Sequence, residues 1–256
     1  MTDASEATRY LLEHAHYTDD LVLWRAIAEQ VQGPVLDIGA AAGRLALALA
    51  RAGCPVIALD ADPRMLLALA ENAAREPAPV AARITTMCAD VRTFALETPV
   101  ALAIAAMNTL QVLLTPHDQL ACLGRVRASL APGGEFWFDV AMPDVVDVHG
   151  AVGVVRAGDV YTDHATGLRL VHAFWFDWVD PVTQTAQFTH RVDEIAPDGA
   201  ARTFLRHHEV HIFTPVELRH LLARAGFEVL QAWGDFAGAP LGSGAERQVY
   251  RCQVIS

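Results

Sequence analysis

Ten residues constrain this chain more than any others: Val35-Leu36-Asp37-Ile38-Gly39-Ala40-Ala41-Ala42-Gly43-Arg44. An aliphatic run carries a carboxylate, a tight turn of small residues follows, and a helical pattern then begins. That order makes a strand that enters a sheet and a helix that returns over it. Small residues in the turn keep no side chain between the main chain and whatever lies on it, and the helix N-terminus presents free N–H groups. The stretch therefore points to a nucleotide-like ligand held largely by backbone.

Two glycine patterns compete for this turn. The dinucleotide fingerprint is G-x-G-x-x-G; from Gly39 the chain reads Gly-x-Ala-x-x-Arg, so two of its three glycines are missing. The other is acid-x-G-x-G-x-G, which Asp37, Gly39 and Gly43 fit and where Ala41 replaces the middle glycine. The extra methyl is accommodated if Ala41 keeps a negative φ. An ordinary strand-to-helix turn of another α/β protein is the plain alternative.

Composition removes several chemistries. The 256 residues carry a net charge of −11, which disfavours nucleic acid as a partner because phosphate binding needs a basic surface. There is no lysine, so a Schiff-base lysine, a P-loop lysine and a Tyr-x-x-x-Lys pair are excluded. Cys54, Cys88, Cys122 and Cys252 are scattered without a C-x-x-C pair and read as free thiols of a reducing compartment. No apolar run approaches the roughly 20 residues of a membrane span, and the opening Met1-Thr2-Asp3-Ala4-Ser5-Glu6 has no signal-peptide character. A cytoplasmic protein with no membrane partner is expected, and the Ala- and Arg-rich usage suggests a bacterial source. The histidines show no metal-ligand spacing, so no catalytic metal is expected.

Along the chain, an apolar stripe of helical period runs to Gln32 and stops at Gly33-Pro34. Strands are predicted over 35–38, 56–59, 82–87, 100–106 and 135–140. Helices follow Gly43, open at Asp62-Pro63 with an N-cap and a proline at the first position, and span 116–130; Pro132-Gly133-Gly134 reads as a turn. This alternation implies a parallel sheet covered on both faces, with ligands outside the carboxyl ends of its strands. Asp37, Asp60, Asp90 and Ala106–Asn108 fall at such ends. From about 152 to 213 the period changes to two, with turns at Asp180-Pro181 and Pro197-Asp198-Gly199 between strands 168–179, 183–195 and 202–213. Thr214-Pro215-Val216-Glu217 is a capping box that opens a last helix, and strands 227–233 and 248–255 close the chain. The expected fold is α/β: a doubly wound, mostly parallel seven-stranded sheet of Rossmann-like type with an antiparallel β-meander after strand five. The domain limits follow: a helical cap over 1–32, the α/β domain over 33–143 and 214–256, and an inserted β element over 144–213.

The motifs LDIGAAAGR, ALDADPRML, CADVRTF, LAPGG and LLARAGFEVLQAWGDF, in that order and spacing, resemble the class I S-adenosylmethionine-dependent methyltransferases, above all the small-molecule and natural-product N- and O-methyltransferases. The resemblance covers residues 34–140 well and the C-terminal helix and strands fairly well. It implies S-adenosyl-L-methionine as cofactor and assigns roles position by position. Gly39, Ala40, Ala41 and Gly43 would face the methionine part with their backbone. Asp60 would accept hydrogen bonds from the two ribose hydroxyls. Asp90 would accept from the adenine amine and the Val91 N–H would meet a ring nitrogen. Ala61 and Met65 would pack on the adenine face, Ala106 and Met107 would lie near the sulfonium carbon, and Tyr17 would cover the amino-acid end.

Methyl transfer from a sulfonium is a direct displacement in which alignment and desolvation do most of the work. No obligatory catalytic residue follows from it, and none is assigned. The acceptor is expected to be a nitrogen or oxygen of a small molecule, because Met107-Asn108-Thr109-Leu110 stands where enzymes acting on adenine or glutamine amides carry N-P-P-Y. Asn108, Asp139 and Met142 border the predicted crevice; Asn108 could orient a polar substrate group, and Asp139 could equally be a carboxylate that satisfies a turn. His172 and Trp175 come from the meander, which is read as a lid, a substrate wall or a homodimer contact. Two other functions stay open: a non-catalytic S-adenosylmethionine-binding regulator, and an NAD-type oxidoreductase.

Overall fold

The computed structural model describes Tyr10, His14 and residues 17–143, 150, 152–162 and 167–255. Most of the expected helical cap before Tyr17 lies outside the described residues; what is described of it is α1 (Asp19–Ala28). The chain divides into two units, Met1–Leu110 with Pro116–Met142 and Thr214–Ser256, and Gln111–Thr115 with Pro143–Phe213.

The first unit contains β1 (Val35–Ile38), α2 (Arg44–Arg51), β2 (Val56–Asp60), α3 (Pro63–Ala73), α4 (Ala78–Ala81), β3 (Ile84–Cys88), β4 (Val100–Ala105), α5 (Pro116–Ser129), β5 (Leu130–Ala141), α6 (Pro215–Arg224), β10 (Phe227–Trp233) and β11 (Arg247–Val254). Its strands form one seven-stranded sheet in the order β3-β2-β1-β4-β5-β11-β10. β1 pairs in parallel with both β2 and β4, whereas β11 runs antiparallel to β5 and β10. The chain therefore winds outward from β1 to β3 and restarts at β4 on the other side of β1. The crevice between the carboxyl ends of β1 and β4 is the topological switch point, where open sheets of this kind bind ligands.

All four residues of β1 are buried, as a central strand covered on both faces must be. The core around it joins Trp24 and Ala28 of α1, Leu45 and Leu49 of α2, Leu69 of α3 and Trp137 of β5. α3 begins where the sequence places it: Asp62 accepts from the Arg64 N–H, and Pro63 takes the first position, which needs no donor. α6 opens on the expected capping box, with Thr214 accepting from the Glu217 N–H and Glu217 accepting from the Thr214 N–H. Thr214→Ala is expected to cost about 1 kcal/mol in urea denaturation, the usual worth of such a cap; no change would mean that tertiary contacts alone hold the helix end.

Two details differ from the sequence reading. Pro132-Gly133-Gly134 is no turn ahead of β5 but an excursion within it: Val100 pairs with Leu130 and Leu102 already with Glu135, so two residues of β4 face five of β5. The third strand starts two residues later than the apolar pattern suggests, at Ile84.

The second unit is an antiparallel sheet in the order β6-β7-β8-β9, from Arg156–Thr162, Arg169–Asp180, Thr185–Ile195 and Ala201–His211. The β7–β8 and β8–β9 hairpins rest on aspartate turns. Asp180 accepts from the Val182 N–H and the Thr183 hydroxyl, and Asp198 accepts from the Ala200 N–H. β6 is absent from the sequence reading because Gly158 and Asp159, poor strand formers, occupy its bulge between Ala157 and Val160. The segment after β4 joins this unit, where Gln111 donates its side-chain amide to the His211 carbonyl at 2.9 Å. No helix among the described residues is long and apolar enough to cross a membrane.

Candidate functional site

The turn after β1 is held by main-chain bonds to β2. The Gly39 and Ala40 N–H groups donate to the Leu59 carbonyl of β2 at 2.8 and 2.9 Å. Gly39 has φ 72°, and a Cβ there would lie 2.6 Å from Thr109 Cγ2, so the loop after β4 closes onto bare backbone. Gly43 has φ 94° and caps α2; a Cβ there would lie 2.1 Å from Leu69 Cδ1.

Ala41 corrects the expectation of negative φ: it stands at +46°. A left-handed alanine costs roughly 1–2 kcal/mol, and the restraint that offsets it is visible. The Ala41 N–H donates to Asp60 Oδ2 at 2.8 Å, while Asp60 Oδ1 accepts from the Asp62 N–H at 2.9 Å. The carboxylate at the end of β2 thus shapes the turn after β1, and each oxygen keeps a second lone pair for another donor.

Asp37 lies inside the sheet with its side chain buried, and its Oδ2 has no hydrogen-bond partner among the described residues. Burial pushes its pKa up to about 7; nearby Arg44 opposes the rise and Asp60 adds to it. Asp37 lines a crevice with Tyr10, Gly39, Ala40, Ala41, Arg44, Ala106, Met107 and Thr109. Arg44 does not neutralise it, being committed to the buried Asp20 by two bonds of 2.7 and 2.5 Å and to the Tyr17 carbonyl at 2.9 Å. An unpartnered buried carboxylate oxygen in a ligand crevice is a place for a cationic donor.

The opposite wall is the end of β4. Met107 and Asn108 both stand in the left-handed region, at φ 54° and 64°. Here again a strand-end carboxylate restrains the turn: the Met107 N–H donates to Asp139 Oδ1 at 2.8 Å. Arg247 of β11 reaches across, donating from Nη2 to Asn108 Oδ1 at 2.8 Å and pairing with Asp139 Oδ2. Its guanidinium lies 5.4 Å above the Phe236 ring. Burial drives the Asp139 pKa upward, and the Arg247 charge pulls against that.

The sequence candidates divide accordingly. Gly39, Ala40, Ala41, Ala106 and Met107 share the crevice, and Asp60 and Gly43 frame its loop. Tyr17 packs edge-on against Phe236 and under the Arg44 guanidinium, and burial pushes its hydroxyl to about 12. Met65 is half-buried against the Ala42 and Ala68 cluster, whereas Ala61 is exposed. Asp90 is engaged by Arg92, whose guanidinium and N–H both bond it and hold its pKa down at about 2, and the half-buried Val91 follows it. An adenine amine at Asp90 would have to share that carboxylate with Arg92.

Asp139 is corrected as a substrate contact: it is fully buried, with both oxygens engaged. Met142 is half-buried, with its N–H on the Glu246 carbonyl. His172 and Trp175 belong to the second unit. There His172 meets His190 Nε2 at 3.0 Å and Trp175 donates to Asp177 at 3.0 Å. Arg44 and Arg247 escaped the sequence reading. Arg44 sits directly beside the glycine motif, but nothing local marks Arg247, whose partners Asp139 and Asn108 lie more than a hundred residues away.

Comparison with known proteins adds to this geometry. Residues 35–134 match the family model of a methyltransferase domain. The chain is 31% identical over 102 residues to a carboxy-S-adenosyl-L-methionine synthase of Geobacter metallireducens, a match covering 38% of this chain and 40% of that protein. It is 25% identical over 223 residues to a cypemycin N-terminal methyltransferase of a Streptomyces species, covering 86% and 83%. Among solved structures, the CcbJ methyltransferase of Streptomyces caelestis superposes with a TM-score of 0.75 at 24% identity over 93% of this chain and 95% of that one. CalS10, a SAM-bound amino pentose methyltransferase of Micromonospora echinaspora, gives 0.65 at 20% identity over 98% and 92%. The fold is that of Rossmann-like methyltransferases.

Proposed function

We propose that this chain, which carries a methyltransferase domain over residues 35–134, binds S-adenosyl-L-methionine at the switch point between β1 and β4 and directs its methyl group to a nitrogen or oxygen of a small molecule. One observation carries the choice of cofactor. The turn after β1 is flanked by two carboxylates, Asp37 buried with an unpartnered oxygen and Asp60 at the strand end. A ligand bearing an ammonium and a sulfonium gains from both charges, whereas the pyrophosphate of a dinucleotide would be repelled by them.

In this reading the Gly39–Gly43 main chain faces the amino-acid end, and Asp37 Oδ2 takes the ammonium. The free lone pairs of Asp60 accept from the ribose diol, and Ala106 and Met107 border the sulfur. S-adenosylmethionine supplies, when bound, a methyl group already activated by positive charge. What the residues contribute is therefore position: bare backbone at Gly39 for close approach, apolar Ala106 and Met107 to exclude water, and a rigid turn to fix the distance. A neutral amine needs no base to attack, so no proton acceptor is required for nitrogen acceptors. The relative named for N-terminal methylation makes amines the first class to screen.

Calorimetric titration with S-adenosylhomocysteine, with NAD alongside, tests the reading. Binding of the sulfur nucleotide and none of NAD is expected; the reverse would sink it. In the same assay Asp60→Ala is expected to weaken S-adenosylhomocysteine by roughly 1.5–3 kcal/mol, the worth of charge-assisted hydrogen bonds. An unchanged affinity would remove Asp60 from the ribose site.

A further inference from the structure

Among the described residues, four that are not glycine have positive φ: Ala41, Met107, Asn108 and Gln184. Three of them sit at the switch point, and two are consecutive. Strained backbone persists only where its surroundings over-determine it, and the restraint on each side is a carboxylate from the end of a neighbouring strand. Asp60 of β2 holds Ala41 after β1, and Asp139 of β5 holds Met107 after β4. The two walls of the crevice are built alike, and the second carries a further part. Arg247 Nη2 bonds both Asn108 Oδ1 and Asp139 Oδ2, so one guanidinium joins both halves of the left-handed pair.

Several facts separate this arrangement from generic packing. Asp139 is fully buried, and Arg247 is the cation that compensates it. Arg247 Nε is itself buried with no hydrogen-bond partner among the described residues. Buried ion pairs are often no better for stability than apolar residues, and their best-attested use is to specify one geometry. The geometry specified here is that of Met107, which lines the crevice with Gly39, Ala40, Ala41 and Ala106.

We infer that Asp139 and Arg247 are a positioning pair for the methyl-transfer site: they lock the Met107–Asn108 backbone so that Met107 stands against the reactive end of the cofactor, and they thereby set how the site discriminates the methylated sulfonium from the demethylated thioether. The inference rests on the cofactor reading above. Neither residue touches the reacting atoms; both act through the turn. The pair differs in this from Asp60, whose loss reaches the ribose and weakens both forms of the cofactor together.

The test is a set of affinities measured by calorimetry on the full chain for S-adenosylmethionine, S-adenosylhomocysteine and adenosine. The variants are Asp139→Asn, Arg247→Lys and Asn108→Gly. Asp139→Asn keeps an acceptor for the Met107 N–H but leaves Arg247 without its counter-charge. Arg247→Lys keeps the charge but loses the reach of Nη2 to Asn108 and Asp139 and the flat guanidinium over the Phe236 ring. Asn108→Gly removes the Arg247 acceptor while relieving the positive φ, so it keeps the fold testable if the charge variants fail to fold.

The ratio of the S-adenosylmethionine and S-adenosylhomocysteine dissociation constants is expected to shift at least fivefold in each variant that folds, with adenosine affinity within twofold of wild type. A wild-type ratio in Asn108→Gly and in either folded charge variant would overturn the pair's role, as would an equal loss for all three ligands. If the wild-type protein itself bound neither sulfur nucleotide, the cofactor reading would fall and the inference with it. That outcome is separate from one in which wild type binds and the variants keep its ratio.

Discussion

Asp37→Asn is expected to make the ligand-free protein more stable at pH 8 than wild type, by roughly 2–4 kcal/mol, and to bring little change near pH 4. The sign follows from the direction of the shift. Burial raises the Asp37 pKa from 3.8 to about 7, with Asp60 adding to the rise and Arg44 opposing it. Between those two values the folded state holds a proton that the unfolded chain has released. Stability from this group is therefore present below about pH 4 and is lost as pH climbs through about 7. Asparagine cannot ionise, so the variant escapes the loss. The difference between variant and wild type in urea denaturation, followed from pH 4 to 8, isolates this one group from the other carboxylates. A difference that stays flat across the range would mean that Asp37 titrates normally. The same substitution should weaken S-adenosylhomocysteine, because the unpartnered oxygen assigned to the ammonium is gone. Greater stability with poorer binding is what a site kept destabilised for its ligand should show.

Gly43→Ala should lower stability by about 3 kcal/mol or more, a fall of roughly 6–12 °C in melting temperature for a chain of this size. Two costs combine. The residue sits at φ 94°, where a side chain is strained, and the new methyl would lie 2.1 Å from Leu69 Cδ1. Leu69 cannot move aside freely, since it is completely buried in the core around β1. Gly53→Ala supplies the control: it stands at φ 98°, with nothing within 4 Å of the added carbon. It carries the backbone strain without the clash and should cost only about 1–2 kcal/mol. Equal losses for the two variants would show that conformation alone keeps Gly43 a glycine, and that the close approach of Leu69 has no part in it.

What the sequence determined by itself was local or periodic. The β1 turn, the Asp62-Pro63 helix start, the Thr214–Glu217 capping box and the alternation of strands with helices all rest on interactions within a few residues, so their residue types declare them. The order of motifs was enough to imply a mostly parallel seven-stranded sheet with an antiparallel insertion, and that is the observed fold. Four features came only from the tertiary structure. Ala41 is left-handed because Asp60, nineteen residues on, captures its N–H. Met107 and Asn108 are left-handed because Asp139 and Arg247 reach them across neighbouring strands. Asp37 is a buried carboxylate because a central strand has no solvent on either face. The Asp139 side chain, which the pattern set at the rim of the crevice, lies wholly inside the protein. Periodicity says which face a residue occupies; it says nothing of which distant partner will meet it there. The geometry of this site is set by such partners, carboxylates and a guanidinium brought together only when the strands stand side by side.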